Sequence, residues 1–372
     1  MKITQLIRNG LRGLFRIAFL GLPALAIAAE GQGVGLTLDN PAVQKVLAVQ
    51  KLVTDDLMAQ PEILGTAVGE GQDGSPELVV YVNNEGKNLG EMMRALPPTL
   101  KGVAVRGHLT DPFRAFGKPS GGAGGVSHTA KQSFPIQLGT SGGWRNDLAN
   151  GYCCGGTLGS LVQVNGVQYV MSNYHVFESD IVLGGNGMMA TLGSPVIQPG
   201  LIDVGCNAAN AQTVATLVKL SSLPDNNVDV GVAQVVTGMV SNSILEIGTI
   251  SSSTVEASFG QPVKKSGRTT GLTRSKVSAL NATISVAYEN ECAGGAAFTK
   301  TFTGQIVIAN TGSRFLNSGD SGSLMVEDVA TKPRAVGLLY AGSSSSAIAN
   351  PIGQVLSFVG SKLGGTATMV GN

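Results

Sequence analysis

Residues 317–325, NSGDSGSLM, set Ser321 in a glycine-rich bend with Gly319 and Gly322 on either side and the acid Asp320 directly before it. A serine hydroxyl is a poor nucleophile alone. It needs a base within hydrogen-bond reach, an acid to orient that base, and donors for the developing oxyanion. Glycines permit a bend that other residues resist, and in such a bend the amides of Gly319 and Ser321 can converge on one point. A plain flexible turn needs neither Asp320 beside the serine nor the apolar run SLMVE straight after it.

The chain offers few bases. It has three histidines, His108, His128 and His175. The first lies in an N-terminal region and the second in a Gly-rich stretch. His175 alone falls among the β-rich segments, in VMSNYHVF, where an apolar strand runs into a polar turn. For the acid, Asp229 sits inside NVDVGVAQVV. On a strand, Val228, Val230 and Val232 share one face, and Asp229 shares the other with Gly231 and Ala233. A carboxylate in such a run is costly to bury unless it is paired, and an imidazole N–H would satisfy it. The neighbouring Asp225, in LPDNN, is better explained as a turn residue.

The remaining composition bounds the class. The chain has 372 residues, 43% apolar and 13% charged, with 52 glycines. Such a chain buries a large core and suggests short strands joined by tight turns. Twenty-five basic against 24 acidic residues leave a formal charge of +1. That balance supplies no clustered basic surface for nucleic acid. Lys2, Arg8, Arg12 and Arg16 precede the uncharged run IAFLGLPALAIAA at 17–29. The run is short for a membrane span and ends in small residues, so it reads as an export signal. A periplasmic or extracellular protein with no stable membrane insertion is expected. Of the four cysteines, adjacent Cys153 and Cys154 point apart on a strand and should find different partners; Cys206 and Cys292 complete the set. One or two disulfides fit an oxidising compartment, and zinc spacing is absent.

Four segments are expected. Residues 1–29 form the signal and 36–115 a small α+β domain, with a helix opened by Asn40 and Pro41 and striped by Val43, Val46, Leu47, Val53 and Leu57. Its role reads as a propeptide, lid or docking module. Residues 116–130 form a Gly-rich linker, and 131–372 a β-rich domain closed by a helix in PIGQVLSFVGSKL.

SNYHVF, VDVGVA and GDSGS follow one another in the order His, Asp, Ser. Together they resemble the chymotrypsin-like (trypsin-like) serine protease family. CGGTLGSLVQVNGVQYVMSNYHVF, KKSGRTTGLTRSKV and ANPIGQVL resemble a bacterial branch that has plant relatives. The resemblance runs over about residues 131–360. It implies a mainly β fold of two six-stranded barrels with the site between them. It also implies His175 as general base, Asp229 as orienting acid, Ser321 as nucleophile, and Gly319 and Ser321 as oxyanion donors. GRTTGLT matches an early hairpin of the second barrel. GLLYAG, with Leu339, Tyr340 and Gly342, matches the strand that pairs with the substrate backbone, and Phe315 the floor of the side-chain pocket. A neutral or small substrate side chain follows. Asn173 and Tyr174 stand where many members have two alanines, a packing variation. No Ile-Val-Gly-Gly-like start lies near the linker, so the sequence does not name the partner of Asp320. The expected activity is an endopeptidase acting on protein or peptide, with no cofactor or metal. The alternatives are a protease fold used for binding or scaffolding, and an esterase.

Overall fold

The computed structural model describes residues 36–87, 89–115, 126–149, 152–178, 189–288, 298–310 and 314–372. The expected export signal, most of the linker and Cys292 lie outside the described residues. Helix α1 (Pro41–Met58) begins where the sequence puts it, with the Asn40 side chain accepting the Ala42 N–H at 2.9 Å. Val43, Val46, Val49, Val53 and Leu57 are buried at helical spacing. Their face covers strands β1 (Ile63–Glu70) and β2 (Pro76–Asn83). Helix α2 (Leu89–Ala95), β3 (Thr99–Leu100), β4 (Val103–Thr110) and β5 (Phe113–Ala115) complete this region.

The next strands are β6 (Ile136–Leu138), β7 (Thr140–Trp144), β8 (Leu148–Ala149), β9 (Tyr152–Cys153), β10 (Gly156–Leu158), β11 (Ser160–Val164) and β12 (Val167–Ser172). The short helix α3 (Tyr174–Phe177) follows, then β13 (Pro195–Gln198), β14 (Gln212–Leu217), β15 (Gly231–Val235), β16 (Val240–Ile244) and β17 (Gly248–Thr249). Seven of them bond in the order β10-β7-β13-β14-β15-β12-β11. The two end strands, β10 and β11, are consecutive in the chain with Gly159 alone between them. The sheet therefore curls back on itself as a six-stranded barrel whose sixth strand is bent at Gly159. Leu158, Val162, Val170, Val196, Val214 and Val232 fill it. Cys153 and Cys206 are joined by a disulfide.

The second barrel is built from β18 (Pro262–Gly267), β19 (Gly271–Tyr288), β20 (Phe298–Ala309), β21 (Leu324–Glu327), β22 (Ala335–Gly342) and β23 (Ser346–Pro351). Their order is β18-β21-β22-β23-β20-β19, and β18 also pairs with β19, which closes the ring. Helix α4 (Ile352–Leu363) then leads to β24 (Thr368–Met369), which returns to β11 of the first barrel. The mainly β class, with two six-stranded barrels after an α+β region, is thus the expected one. Among the described residues no helix is long and apolar enough to cross a membrane.

The α+β strands do not form a sheet of their own. β19 is 18 residues long, and β1 pairs along it from Gly65 opposite Ile284 to Gly69 opposite Ala279. The sheet of the second barrel continues through β1, β2 and β4. The Gln50 side chain of α1 adds to the tie, donating to the Asn281 carbonyl at 2.9 Å. Gly65 lets the two backbones close up: a Cβ there would lie 2.4 Å from the Thr283 carbonyl oxygen. Replacing Gly65 with alanine forces the strands apart. The variant should lose about 1–3 kcal/mol of stability, read from its urea unfolding midpoint.

Candidate active site

The site forms where the two barrels meet. His175 sits on α3, one short turn after β12. The helix starts there because Asn173 is extended and Tyr174 opens the turn. Asp229 precedes β15, which pairs with β12 from Ser172 opposite Gly231 to Tyr169 opposite Gln234. That pairing carries Asp229 under the helix. Its Oδ2 accepts His175 Nδ1–H at 2.6 Å, and its Oδ1 accepts the Tyr174 N–H at 2.8 Å. Asp229 is fully buried, so these donors take the place of water. A carboxylate can only accept, so Nδ1 carries the proton and Nε2 presents a lone pair. Two asparagines hold the acid's backbone. Asn173 Nδ2 donates to the Asp229 carbonyl at 2.7 Å, and Asn350 Oδ1 accepts the Asp229 N–H at 2.9 Å. Asn173 therefore does more than the packing expected of it from sequence.

Ser321 occupies the bend between β20 and β21. Gly322 has φ +91°, and a Cβ there would lie 2.1 Å from Ser172 Oγ, so only glycine fits. Gly319 has φ +92°. The first barrel grips this bend: Thr157 N–H donates to the Ser321 carbonyl at 2.9 Å and Thr157 Oγ1 donates to the Gly319 carbonyl at 2.9 Å. On the other side the Gly322 N–H donates to Leu339 of β22 at 3.0 Å. The Asp320 N–H is also taken, by Asn317. The amides of Gly319 and Ser321 donate to nothing among the described residues, which leaves both free for a ligand oxygen. Ser321 Oγ and His175 Nε2 are each buried and, among the described residues, each without a hydrogen-bond partner. A buried polar atom left unsatisfied costs about 1–3 kcal/mol.

Asp320 has a partner that the sequence reading did not name. Lys265 of β18 is fully buried, and its Nζ lies 3.3 Å from Asp320 Oδ2. It also donates to Thr270 Oγ1 and, at 3.0 Å, to the Gly271 carbonyl. Burial pushes the Lys265 ammonium below the ordinary lysine range, and the Asp320 charge works against that shift. The carboxylate further accepts from the backbone amides of Thr269 at 2.9 Å, Thr270 at 3.1 Å and Asn317 at 3.0 Å. GRTTGLT is thus the β18–β19 hairpin, and it fixes the serine bend from inside the chain. β18 reads PVKKSG, and nothing in that local pattern marks Lys265 for burial against a carboxylate.

The remaining sequence candidates fall as follows. Leu339 and Tyr340 are buried in β22, with the Leu339 N–H donating to the Ser323 carbonyl at 3.1 Å and the Tyr340 hydroxyl unpartnered. Phe315 packs into the second barrel's core with Phe259, Val277 and Met325. Gly342 pairs with Arg114 of β5, so the chain's own N-terminal region lies on that edge of β22. His108 meets Ser345 there at 3.0 Å, while buried His128 bonds Glu246 at 2.7 Å. Tyr288, at the end of β19, also touches Asp229, donating its hydroxyl to Oδ2 at 2.9 Å.

Comparison with known proteins gives three findings. Residues 223–350 match the family model of the Nal1 C-terminal domain. No curated protein matches. Among solved structures, a glutamic acid specific serine protease is similar at 18% identity over 63% of this chain and all of its own, with a TM-score of 0.40. Thermobifida fusca protease A is similar at 18% identity over 64% of this chain and 99% of its own, TM-score 0.40. Cellulomonas bogoriensis chymotrypsin is similar at 20% identity over 58% of this chain and 91% of its own, TM-score 0.36.

Lys265→Met would leave the Asp320 carboxylate buried without its cation. Breaking such a pair by removing one partner costs about 3–5 kcal/mol. Chemical denaturation should show that loss, and the serine bend should become less reactive in step with it.

Proposed function

We propose that the protein is a serine endopeptidase, exported to the periplasm or beyond, that cleaves peptide bonds through Ser321, His175 and Asp229. The observation that carries this reading is the buried His175–Asp229 bond of 2.6 Å together with two unsatisfied atoms, His175 Nε2 and Ser321 Oγ. Ser321 Oγ attacks the carbonyl carbon of the peptide while its proton passes to His175 Nε2. The imidazolium that forms is stabilised by Asp229 through Nδ1–H. The carbonyl oxygen becomes an oxyanion and is met by the free N–H groups of Gly319 and Ser321, each such donor being worth about 10²–10³ in rate. The proton on Nε2 then goes to the departing amine, which leaves an acyl-enzyme. Water, deprotonated by the same imidazole, attacks that ester and frees Ser321.

Labelling with a fluorescent fluorophosphonate tests the reading. The parent should label, and Ser321→Ala and His175→Ala should not. Asp229→Asn removes the acceptor that selects the tautomer and should slow labelling by about 10⁴-fold. A folded parent that stays unlabelled transfers the weight to the second reading, a protease fold used for binding. That reading is favoured by one observation: Ser321 Oγ makes no hydrogen bond to the imidazole.

The N-terminal region acts as a restraint in this account. β5 pairs with β22 through Arg114 and Gly342, and the Ser344 N–H donates to Asp111 at 2.8 Å. A substrate backbone would use the same edge by strand addition. Arg114→Pro, which should disturb the pairing of β5 with β22, should speed hydrolysis of an unstructured protein such as casein. Unchanged turnover would argue against restraint.

A further inference from the structure

We propose that Tyr288 is a positioning residue of the site, whose hydroxyl holds the Asp229 carboxylate in the one orientation that serves His175. The proposal rests on the triad reading above. The hydroxyl donates to Asp229 Oδ2 at 2.9 Å, the oxygen that also accepts His175 Nδ1–H at 2.6 Å. A carboxylate oxygen offers two lone pairs, so these two donors fill it. Oδ1 is taken by the Tyr174 N–H at 2.8 Å. The carboxylate cannot turn about its Cβ–Cγ bond without giving up buried hydrogen bonds.

The origin of each donor matters. Tyr174 and His175 come from α3, beside the first barrel. Tyr288 is the last residue of β19 in the second. Its hydroxyl is therefore a strut across the barrel interface, ending on the oxygen that governs the imidazole. Its ring stands edge-on to that imidazole, with centroids 6.0 Å apart and planes at 71°. Tyr288 also packs against Phe302, which in turn packs against Tyr340. A phenylalanine would fill the same space, so core packing alone does not call for the hydroxyl.

The titratable groups around this point are few. Asp229 faces His175 on α3, Tyr288 on β19 and Tyr340 on β22, and its charge is also felt by Glu178, just after α3. Burial first, and then the Asp229 charge, push the Tyr288 hydroxyl well above the ordinary phenol range. It therefore stays a donor wherever an imidazole works as a base. By drawing electron density from Oδ2, the O–H also weakens the bond from His175 Nδ1, and removing it would let Oδ2 hold a charged imidazole more firmly.

The test compares the full chain with Tyr288→Phe by fluorophosphonate labelling rate across pH and by proton NMR of His175 Nδ1–H. Three histidines in the chain make assignment through His175→Ala direct. The expected result has three parts. The labelling rate falls about 10- to 100-fold, the worth of a hydrogen bond to a charged group. The pH midpoint of labelling moves up, and the Nδ1 proton moves downfield. In an Asp229→Asn background, which lacks the carboxylate acceptor for Nδ1–H, the same substitution should change neither the labelling rate nor its pH midpoint. A folded Tyr288→Phe with an unchanged pH midpoint and an unchanged Nδ1 proton overturns the proposal, even if its rate falls, because that pattern is a packing loss. An unlabelled parent sinks the triad reading and any role in turnover with it, while the Nδ1 shift still decides whether Tyr288 tunes the His–Asp pair. Should Tyr288→Phe not fold, the parent decides: a slowly exchanging phenolic proton with a nuclear Overhauser contact to the His175 ring supports the strut, and its absence overturns it.

Discussion

One buried carboxylate, Asp229, organises the interface between the two barrels. It accepts from Tyr174 and His175 on one side and from Tyr288 on the other, and Asn350 of β23 holds its backbone N–H. A charge with no access to water needs this many donors. The three donors come from residues 55, 54 and 59 positions away, and the Asn350 oxygen that accepts the backbone N–H from 121 positions away. The barrels can therefore dock in one way only if all of these bonds are to be made at once. The orientation of His175 is a by-product of that satisfaction.

A second buried carboxylate, Asp320, does the same for the serine bend. Lys265 and three backbone amides hold it. The cation is part of the folded barrel, so the bend is set without a newly formed chain end. The two acids divide the labour: Asp229 orients the His175 imidazole and joins the barrels, and Asp320 shapes the loop that carries the Ser321 hydroxyl. Among the described residues, Ser321 Oγ, His175 Nε2 and the amides of Gly319 and Ser321 are left without a partner between them.

The α+β region enters this scheme through the length of β19. Its far half needs a neighbour on the edge away from β20, and β1 supplies one, followed at Val286–Tyr288 by β5. The same strand thus ends at Tyr288 beside the acid and binds the N-terminal region along its side. A disturbance in that region has a short mechanical route to the site, through a single strand.

The sequence by itself determined the local pieces. Alternating Val-rich runs gave strands, Asn40 and Pro41 gave the start of α1, and the glycines around Ser321 gave its bend, because periodicity and backbone freedom are properties of neighbouring residues. The His175–Asp229 pair was legible, since an acid inside an apolar strand is anomalous until paired, and Ser321 stood out by its glycine bend. The tertiary structure alone decided which groups satisfy the two buried acids. Nothing local marks Tyr288 or Lys265 for these roles, and Asn173 read as a packing variation. Their partners lie on other strands, and a hydrogen bond across a barrel interface leaves no trace in local spacing. The joining of β1 to β19 was hidden for the same reason: strand pairing at long range depends on which edge remains unfilled once the barrel has closed.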